Sequence, residues 1–561
     1  MNWRDFRGGL RIQVGHIPTV LSIAFIFAVT RLKELAVGIG NHSSLAPEIF
    51  FRSRGALCAA LITGAFALCG TQLLHGSVRL PRVIGDHMVL QRDQPIHIWG
   101  WATAGENIVV TLGQVQRSVQ ADQSGNWAVD LPPMKAGGPF KMTIEGGNLI
   151  ELDDILIGDL WVASGQSNME LPLGGTPQAK VNNAEQEIQS ATHPGIRLFL
   201  ADKVASTYPL VDLQQKSGWS LCSPETVTKF SALALFFGRE VAATENVPVG
   251  LIASSWGGTP AEAWISLSGL TGDASLNTAF DDFNRMATIH GQDVHRWAIE
   301  DAEDALAKSQ GLVPPVRNRN HSFDGAGPGT LFNGMIAPLL PLRVRGVIWY
   351  QGEANATPLR APIYDRLFPA MIRDWRKEWQ QGDLPFLFVQ LANWDAQSGL
   401  RWPLVREAQR HALSLPNTAM AVTIDVGESN NIHPGNKQAV GHRLALAARA
   451  VVYHEPVEFS GPLYFETSLE PGALRVWFHH ADVMHTTGAN VPGFELSGDD
   501  HVFLPATEAR IDGQTIVLSN PKIPRPISVR YGWEDDPKLD LYNAANLPAS
   551  PFSSVDESRP K

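Results

Sequence analysis

Only three cysteines, Cys58, Cys69 and Cys222, occur in 561 residues. The first two lie in a signal-like stretch, which leaves Cys222 alone and no internal disulfide to form. Positive charge is also scarce, with 45 Lys and Arg against 56 Asp and Glu and a formal net charge of −11. No basic patch with interleaved aromatics offsets that balance, so nucleic acid and anionic membrane surfaces are excluded as partners. No glycine-rich phosphate loop is present. His479, His480 and His485 lack the Cys or carboxylate spacing of a zinc site and read as part of a surface strand pair. No metal and no organic cofactor is implied. The apolar run 56–68 falls short of the roughly 20 residues that a spanning helix needs.

What that run does resemble is a secretory signal: Arg52 and Arg54 precede it and small residues follow, with Ala65-Phe66-Ala67 as one cleavage site. Export to the periplasm or the extracellular space is therefore expected, with no stable membrane insertion after signal removal. Residues 1–51 carry a second apolar stretch at 19–29 upstream of this signal, an order that a translation start assigned too early would explain. Cys222, in Leu221-Cys222-Ser223-Pro224, reads as a small packed side chain.

The chain is too long for one compact domain. Four segments are expected: an extension and signal-like segment at 1–76, a β module at 77–152, a catalytic domain at 153–455 and a β module with tail at 456–561. From Val83 to Ile150 short alternating strands such as Ile96–Trp99 and Ile108–Leu112 are separated by turns, including a hairpin-like Asp122-Gln123-Ser124-Gly125-Asn126-Trp127. This pattern has the proportions of an immunoglobulin-like sandwich. Buried-strand runs then occur at 160–163, 249–253, 344–350, 386–391 and 419–424, with helical periodicity at 230–246 and 436–451. Such alternation implies a mostly parallel sheet covered on both faces. After residue 456 strands return at 474–478, 501–504 and 527–531. The stretch 311–329, rich in Gly and Pro, reads as the longest loop and as a cover for the site.

Gly165-Gln166-Ser167-Asn168 follows the apolar run Leu160–Ala163, a strand-to-turn join suited to exposing a serine nucleophile. A serine hydroxyl needs a base and donors for the developing oxyanion. Three later blocks at strand ends supply them: Ser255-Trp256-Gly257-Gly258-Thr259, Trp349-Tyr350-Gln351-Gly352-Glu353 and Asn430-Asn431-Ile432-His433-Pro434. In open α/β sheets the carboxyl ends of the strands form the ligand edge, so these four distant blocks converge there. The turn lacks the second glycine of the α/β-hydrolase nucleophile elbow, which disfavours a lipase.

With these blocks in this order, and with the flanks Gly85–Gln91 and Leu541-Tyr542-Asn543, the chain resembles the SGNH hydrolase superfamily, and within it the sialate O-acetylesterase-like carbohydrate esterases. The resemblance implies an SGNH-type, flavodoxin-like three-layer α/β domain with a parallel sheet, flanked by N-terminal and C-terminal β-sandwich modules. It implies Ser167 as nucleophile and His433 as base. The backbone amides of Ser167 and Gly257 and the side-chain amide of Gln351 are the matching oxyanion donors. Many relatives carry aspartate three residues before the histidine, where this chain has Asn430, so Asn430 would orient the imidazole in a dyad-like system. Glu428, Asp425 and Glu353 are the carboxylates available as a third member. Trp256, Trp264, Tyr350 and Trp394 stand near the blocks as candidates for stacking on sugar rings, and Glu353 as a further substrate contact. The activity implied is removal of O-acetyl groups from carbohydrate, first from sialic acid. An acetylated plant polysaccharide such as xyloglucan or xylan is the alternative substrate. A non-catalytic carbohydrate-binding protein on an esterase scaffold is the rival.

Overall fold

The computed structural model describes residues 78–556, apart from 217, 311–312, 316–326 and 397–398. The signal-like segment and most of the expected loop 311–329 therefore lie outside the described residues.

The amino-terminal strands are β1 (Val89–Gln91), β2 (Ile96–Trp101), β3 (Asn107–Leu112), β4 (Val115–Gln120), β5 (Asn126–Leu131) and β6 (Gly137–Glu145). In β3 every second residue is buried, as the alternation of Ile108, Val110 and Leu112 requires. The turn after β4 does not close a hairpin, because β4 pairs with β3 whereas β5 pairs with β2. Asp122 Oδ1 accepts the amides of Ser124 at 2.8 Å and Asn126 at 2.9 Å, and this Asx geometry reverses the chain whatever the flanking strands do.

Strand β7 (Leu149–Gly165) is 17 residues long and belongs to both halves of the structure. Its first part pairs with β6 and β1, and from Asp159 onward it pairs with the central sheet. Residues 152 and 153, taken from the sequence as a boundary, lie inside this strand. At its midpoint the buried Asp159 carboxylate accepts Arg92 Nε at 2.8 Å, Arg345 Nε at 3.1 Å and the Tyr453 hydroxyl at 2.9 Å. Burial pushes its pKa up, but these partners outweigh that and hold it below the ordinary value of 3.8.

The central sheet continues with β8 (His193–Leu200), β9 (Ser220–Cys222), β10 (Val249–Ser255), β11 (Gly346–Tyr350), β12 (Phe386–Val389) and β13 (Thr418–Ala421). The order is β13-β12-β11-β7-β10-β8-β9. All neighbours are parallel except β8 and β9. Without the edge pair β8–β9 the five strands run 2-1-3-4-5 about β7, so chain order reverses between β10 and β11. Every residue of β10, β11 and β12 is buried, which matches their unbroken apolar runs. Helices Ala232–Glu245 and Lys437–Val451 pack together, as do Ala361–Trp379 and Trp402–His411.

Beyond the central sheet two four-stranded antiparallel sheets, one centred on Ala473–His479 and one on Phe494–Ser497, share an apolar cluster of their own with Leu474, Leu496, Val529 and Phe552. The strand expected at 501–504 is reduced to Leu504–Pro505. A 32-residue helix, Thr278–Ser309, is an element the sequence reading does not contain. Among the described residues no helix is long and apolar enough to cross a membrane.

Candidate active site

Gly165 ends β7 with φ +132°, and a Cβ there would lie 2.2 Å from the Tyr350 carbonyl oxygen. Only glycine fits, and its conformation turns the chain sharply into the short helix Ser167–Glu170. The turn is fastened on both sides. The Gln166 amide donates to Tyr350 O and the Trp256 amide to Gly165 O. The Gln166 side-chain oxygen accepts the amides of Gly352 and Ala354.

Ser167 and His433, 266 residues apart, meet across the sheet edge, with Ser167 Oγ 2.8 Å from His433 Nε2. Both line a cavity of about 250 Å³ whose wall includes Leu171, Pro172 and Ala179, an apolar lining suited to a small acyl group. A larger cavity of about 560 Å³, lined by His97, Trp99 and Trp101, shares no residue with it. Burial and the nearby Lys437 charge hold the His433 imidazole below its ordinary pKa of 6.5. A neutral imidazole with Nε2 facing a hydroxyl is the arrangement a general base requires.

Two of the expected oxyanion donors stand differently in the structure. Gly257 is beside the nucleophile, since a Cβ on it would lie 3.1 Å from Ser167 Cβ. Its amide donates to Glu170 Oε2 at 2.6 Å, and Glu170 Oε1 meets Lys203 Nζ at 2.5 Å. Gln351 is fully buried, and its amide hydrogens go to Asn355 Oδ1 at 2.6 Å and the Thr259 carbonyl at 3.3 Å. Its side-chain oxygen accepts the Tyr364 hydroxyl at 2.9 Å. With both hydrogens engaged inside the protein, Gln351 fastens the turn after β11 and presents no free N–H to the site in this geometry, a difference from the expectation.

Among the described residues no hydrogen bond joins Asn430, the expected orienting residue, or Glu428, a candidate acid, to the imidazole. Asn430 is exposed. Glu428 accepts Asn431 Nδ2 at 2.9 Å and the Gly435 amide at 2.7 Å, and Asn431 in turn bonds both the amide and the carbonyl of His433. Glu428 thus closes the loop that carries the histidine rather than contacting the ring. Asp425 is paired with Arg443 through two bonds of 2.6 Å. Among the described residues no carboxylate lies within salt-bridge distance of His433.

Glu353 is buried and accepts Asn168 Nδ2 at 2.6 Å. It faces the nucleophile turn and not a substrate surface, and burial raises its pKa above 4.5. Asn168 Nδ2 also donates to Ile432 O at 2.9 Å, and Asn168 Oδ1 accepts Lys437 Nζ at 2.6 Å. Lys437 was not singled out from the sequence, although it stands in the Ile432-His433-Pro434-Gly435-Asn436-Lys437 block. Of the aromatics, Trp264 and Tyr350 are core residues. Trp256 is half-buried with Lys203 Nζ 5.8 Å from its ring centre, and Trp394 is half-buried against Trp402. Cys222 is buried, and burial pushes its thiol up to about 11, as expected of a packed, unreactive side chain. His480 pairs with Glu458, and among the described residues no group of His, Cys, Asp and Glu is arranged to hold a metal ion.

Comparisons with known proteins bear on the family of the chain. Residues 322–450 match the family described as carbohydrate esterase, sialic acid-specific acetylesterase. The sialate O-acetylesterase of Mus musculus is 32% identical over 525 residues, covering 84% of this chain and 94% of that protein. That of Homo sapiens is 31% identical over 528 residues, covering 84% and 92%. The crystal structure of a carbohydrate acetylesterase from Xanthomonas citri superposes with a TM-score of 0.74 at 36% identity, covering 86% of this chain and 100% of that one.

Proposed function

Since the chain belongs to the sialate O-acetylesterase family of carbohydrate esterases, we propose that it cleaves O-acetyl groups from a carbohydrate through Ser167 and His433. It is a carboxylic ester hydrolase, with O-acetylated sialic acid as its leading substrate. The observation that carries the assignment of residues is the 2.8 Å contact between Ser167 Oγ and His433 Nε2 beside a small apolar cavity.

In the first half-reaction Ser167 Oγ attacks the acetyl carbonyl carbon while His433 Nε2 takes the hydroxyl proton. The electron pair displaced onto the carbonyl oxygen is stabilised by the backbone amides of Gly257 and Ser167. Glu170 withdraws from the Gly257 amide for this to occur. Collapse expels the sugar oxygen, which receives the proton from His433, and leaves acetyl-Ser167. Water, deprotonated by the same imidazole, then releases acetate and regenerates the serine. The half-buried Trp256 beside Gly257 supplies an apolar face for a sugar ring, and Trp394 a second one.

The 2-1-3-4-5 order about β7 supports an SGNH-type, flavodoxin-like core, and the separate cluster of the two terminal sheets supports a C-terminal sandwich module at 456–561. The pairings of β2 with β5 and of β3 with β4 and β6 support a sandwich-like N-terminal module whose last strand is shared with the catalytic domain. The signal-like stretch after Arg52 and Arg54 supports export. Acetate release from O-acetylated sialic acid, measured beside acetylated xyloglucan and xylan, tests the substrate. Faster release from either polysaccharide would move the assignment to plant-polysaccharide esterase. No release from any acetyl ester would leave only the carbohydrate-binding reading.

A further inference from the structure

Among the described residues no carboxylate pairs with the imidazole of His433, so something else fixes the two loops that carry Ser167 and His433. Resting on the esterase reading above, we propose that Lys437 is a positioning residue, the cationic end of a buried Lys437–Asn168–Glu353 chain that locks the nucleophile turn to the histidine loop.

The chain runs through one amide. Lys437 Nζ donates to Asn168 Oδ1 at 2.6 Å, and Asn168 Nδ2 donates to Glu353 Oε1 at 2.6 Å and to the carbonyl of Ile432 at 2.9 Å. Asn168 follows the nucleophile directly and Ile432 precedes the base directly. A shift of either loop therefore breaks a bond to the same side chain. All three members are at least nine-tenths buried, at 0% exposure for Lys437, 2% for Asn168 and 8% for Glu353. In so dry a place the amide dipole is held from both ends, by an ammonium at its oxygen and a carboxylate at its nitrogen.

Stability alone does not account for a lysine at this position. It is the first residue of the helix Lys437–Val451, where the helix dipole disfavours a cation, and burial disfavours it further. Its ammonium lies 5.4 Å from the Tyr350 ring centre, a cation–π contact that offsets part of this cost. The cost is visible in its pKa, pushed down to about 7 by burial against the attraction of Glu353 and Glu428. The same charge acts on the base, because Lys437 adds to burial in lowering the His433 pKa. The charged and titratable groups set around this pair are Glu353 from the turn after β11, Glu428 from the histidine loop, Tyr350 from β11 itself and Glu170 from the cavity wall.

The test uses Lys437→Met, Glu353→Gln and the double variant in the full chain, with turnover of a chromogenic acetyl ester followed against pH and with thermal unfolding. Lys437→Met should lose at least about tenfold in kcat/KM, and its acidic limb should move to higher pH because the cation that lowers the His433 pKa is gone. The double variant, which no longer buries an unpaired carboxylate, should regain thermal stability but not rate. An unmoved limb together with a rate restored in the double variant would overturn the inference and reduce Lys437 to a counter-charge for Glu353. Ser167→Ala is assayed alongside. If it is inactive while Lys437→Met keeps wild-type rate and limb, only the role of Lys437 falls. If Ser167→Ala itself keeps wild-type rate, the esterase reading falls and the role of Lys437 with it.

Discussion

Glu170 Oε2 accepts the Gly257 amide at 2.6 Å, so a side-chain anion occupies the donor to which the tetrahedral oxyanion would bind. In this contact the amide donates to a negative oxygen, and a substrate oxygen would have to displace it. Replacing the charged acceptor by a neutral one weakens the contact, since hydrogen bonds to ions are the stronger kind. Glu170→Gln is expected to raise kcat/KM by about fivefold, roughly the equivalent of 1 kcal/mol of net hydrogen-bond energy. Lys203→Met should act the other way, leaving Glu170 without its partner at 2.5 Å and more firmly on Gly257. Steady-state kinetics of the two variants check this. A loss in both would assign Glu170 to holding the Gly257 loop in place.

Ser167→Ala should abolish turnover while leaving thermal unfolding within about 0.5 kcal/mol of the parent, because the lost oxygen sits at the sheet edge and not in the core. His433→Ala should lose a comparable factor, and the double variant should be hardly worse than either alone, since nucleophile and base act as one unit. Multiplicative losses in the double variant would show that the 2.8 Å contact is not the catalytic one.

The pH dependence follows from the sign of the His433 shift. Its pKa is lowered first by burial and then by Lys437, and the neutral imidazole is the active form. Activity should therefore fall as the medium acidifies through a limb below 6.5, the ordinary histidine value, while loss of the Lys437 proton at about 7 sets a separate alkaline limb. An acidic limb of kcat/KM with an apparent pKa above 6.5 would contradict the histidine assignment.

The parts of this structure that were legible in the sequence are those where local pattern and tertiary fate agree. The apolar runs at β7, β10, β11 and β12 are buried on both faces, so composition alone marks them. Strand β8 escaped because it opens His193-Pro194-Gly195 and its buried part is only the four residues 196–199, which include Arg197. The helix Thr278–Ser309 escaped because its many exposed positions leave a weak apolar stripe. At the site, the blocks that carry Ser167, Gly257 and His433 come together as their sequence positions imply, because each sits at the end of a buried strand or in the loop after one. The inward hydrogen bonds of Gln351 were not legible because position in a block does not tell which way a side chain points. Lys437 was passed over because a lysine after a histidine loop ordinarily lies in solvent, and only the tertiary closure of three loops buries it.

Asp159 joins the two halves of β7, and its removal should be felt in stability rather than turnover. Asp159→Ala leaves Arg92 and Arg345 without their shared carboxylate, a loss expected to cost about 3–5 kcal/mol. Because the folded-state pKa of Asp159 is depressed, its contribution is fully present above the unfolded value near 3.8 and is lost as pH falls through the folded value. Chemical denaturation at pH 7 and again near pH 3 measures both. An unchanged midpoint in the variant at pH 7 would refute the role of this carboxylate.

The last expectation concerns the acid that the imidazole lacks. Asn430 is exposed, so a carboxylate placed there by Asn430→Asp has no ring nitrogen to meet and is held in water, where its charge is screened. That variant should keep wild-type activity within about twofold, the scale of a surface substitution. Glu428→Gln is different, because Glu428 receives the Gly435 amide at 2.7 Å and Asn431 Nδ2 at 2.9 Å. A glutamine can keep one of those bonds as acceptor but turns a donor toward the other, so the loop loosens and His433 drifts from Ser167. The expected result is a loss of roughly tenfold in kcat with little change in KM, the signature of a base out of position and not of lost substrate binding. A carboxylate acting directly on the imidazolium would instead give a loss nearer 10⁴-fold, as removal of a triad aspartate does. Kinetics of the two variants side by side decide between a closed loop carrying a dyad and a displaced triad, since only the triad predicts the larger loss.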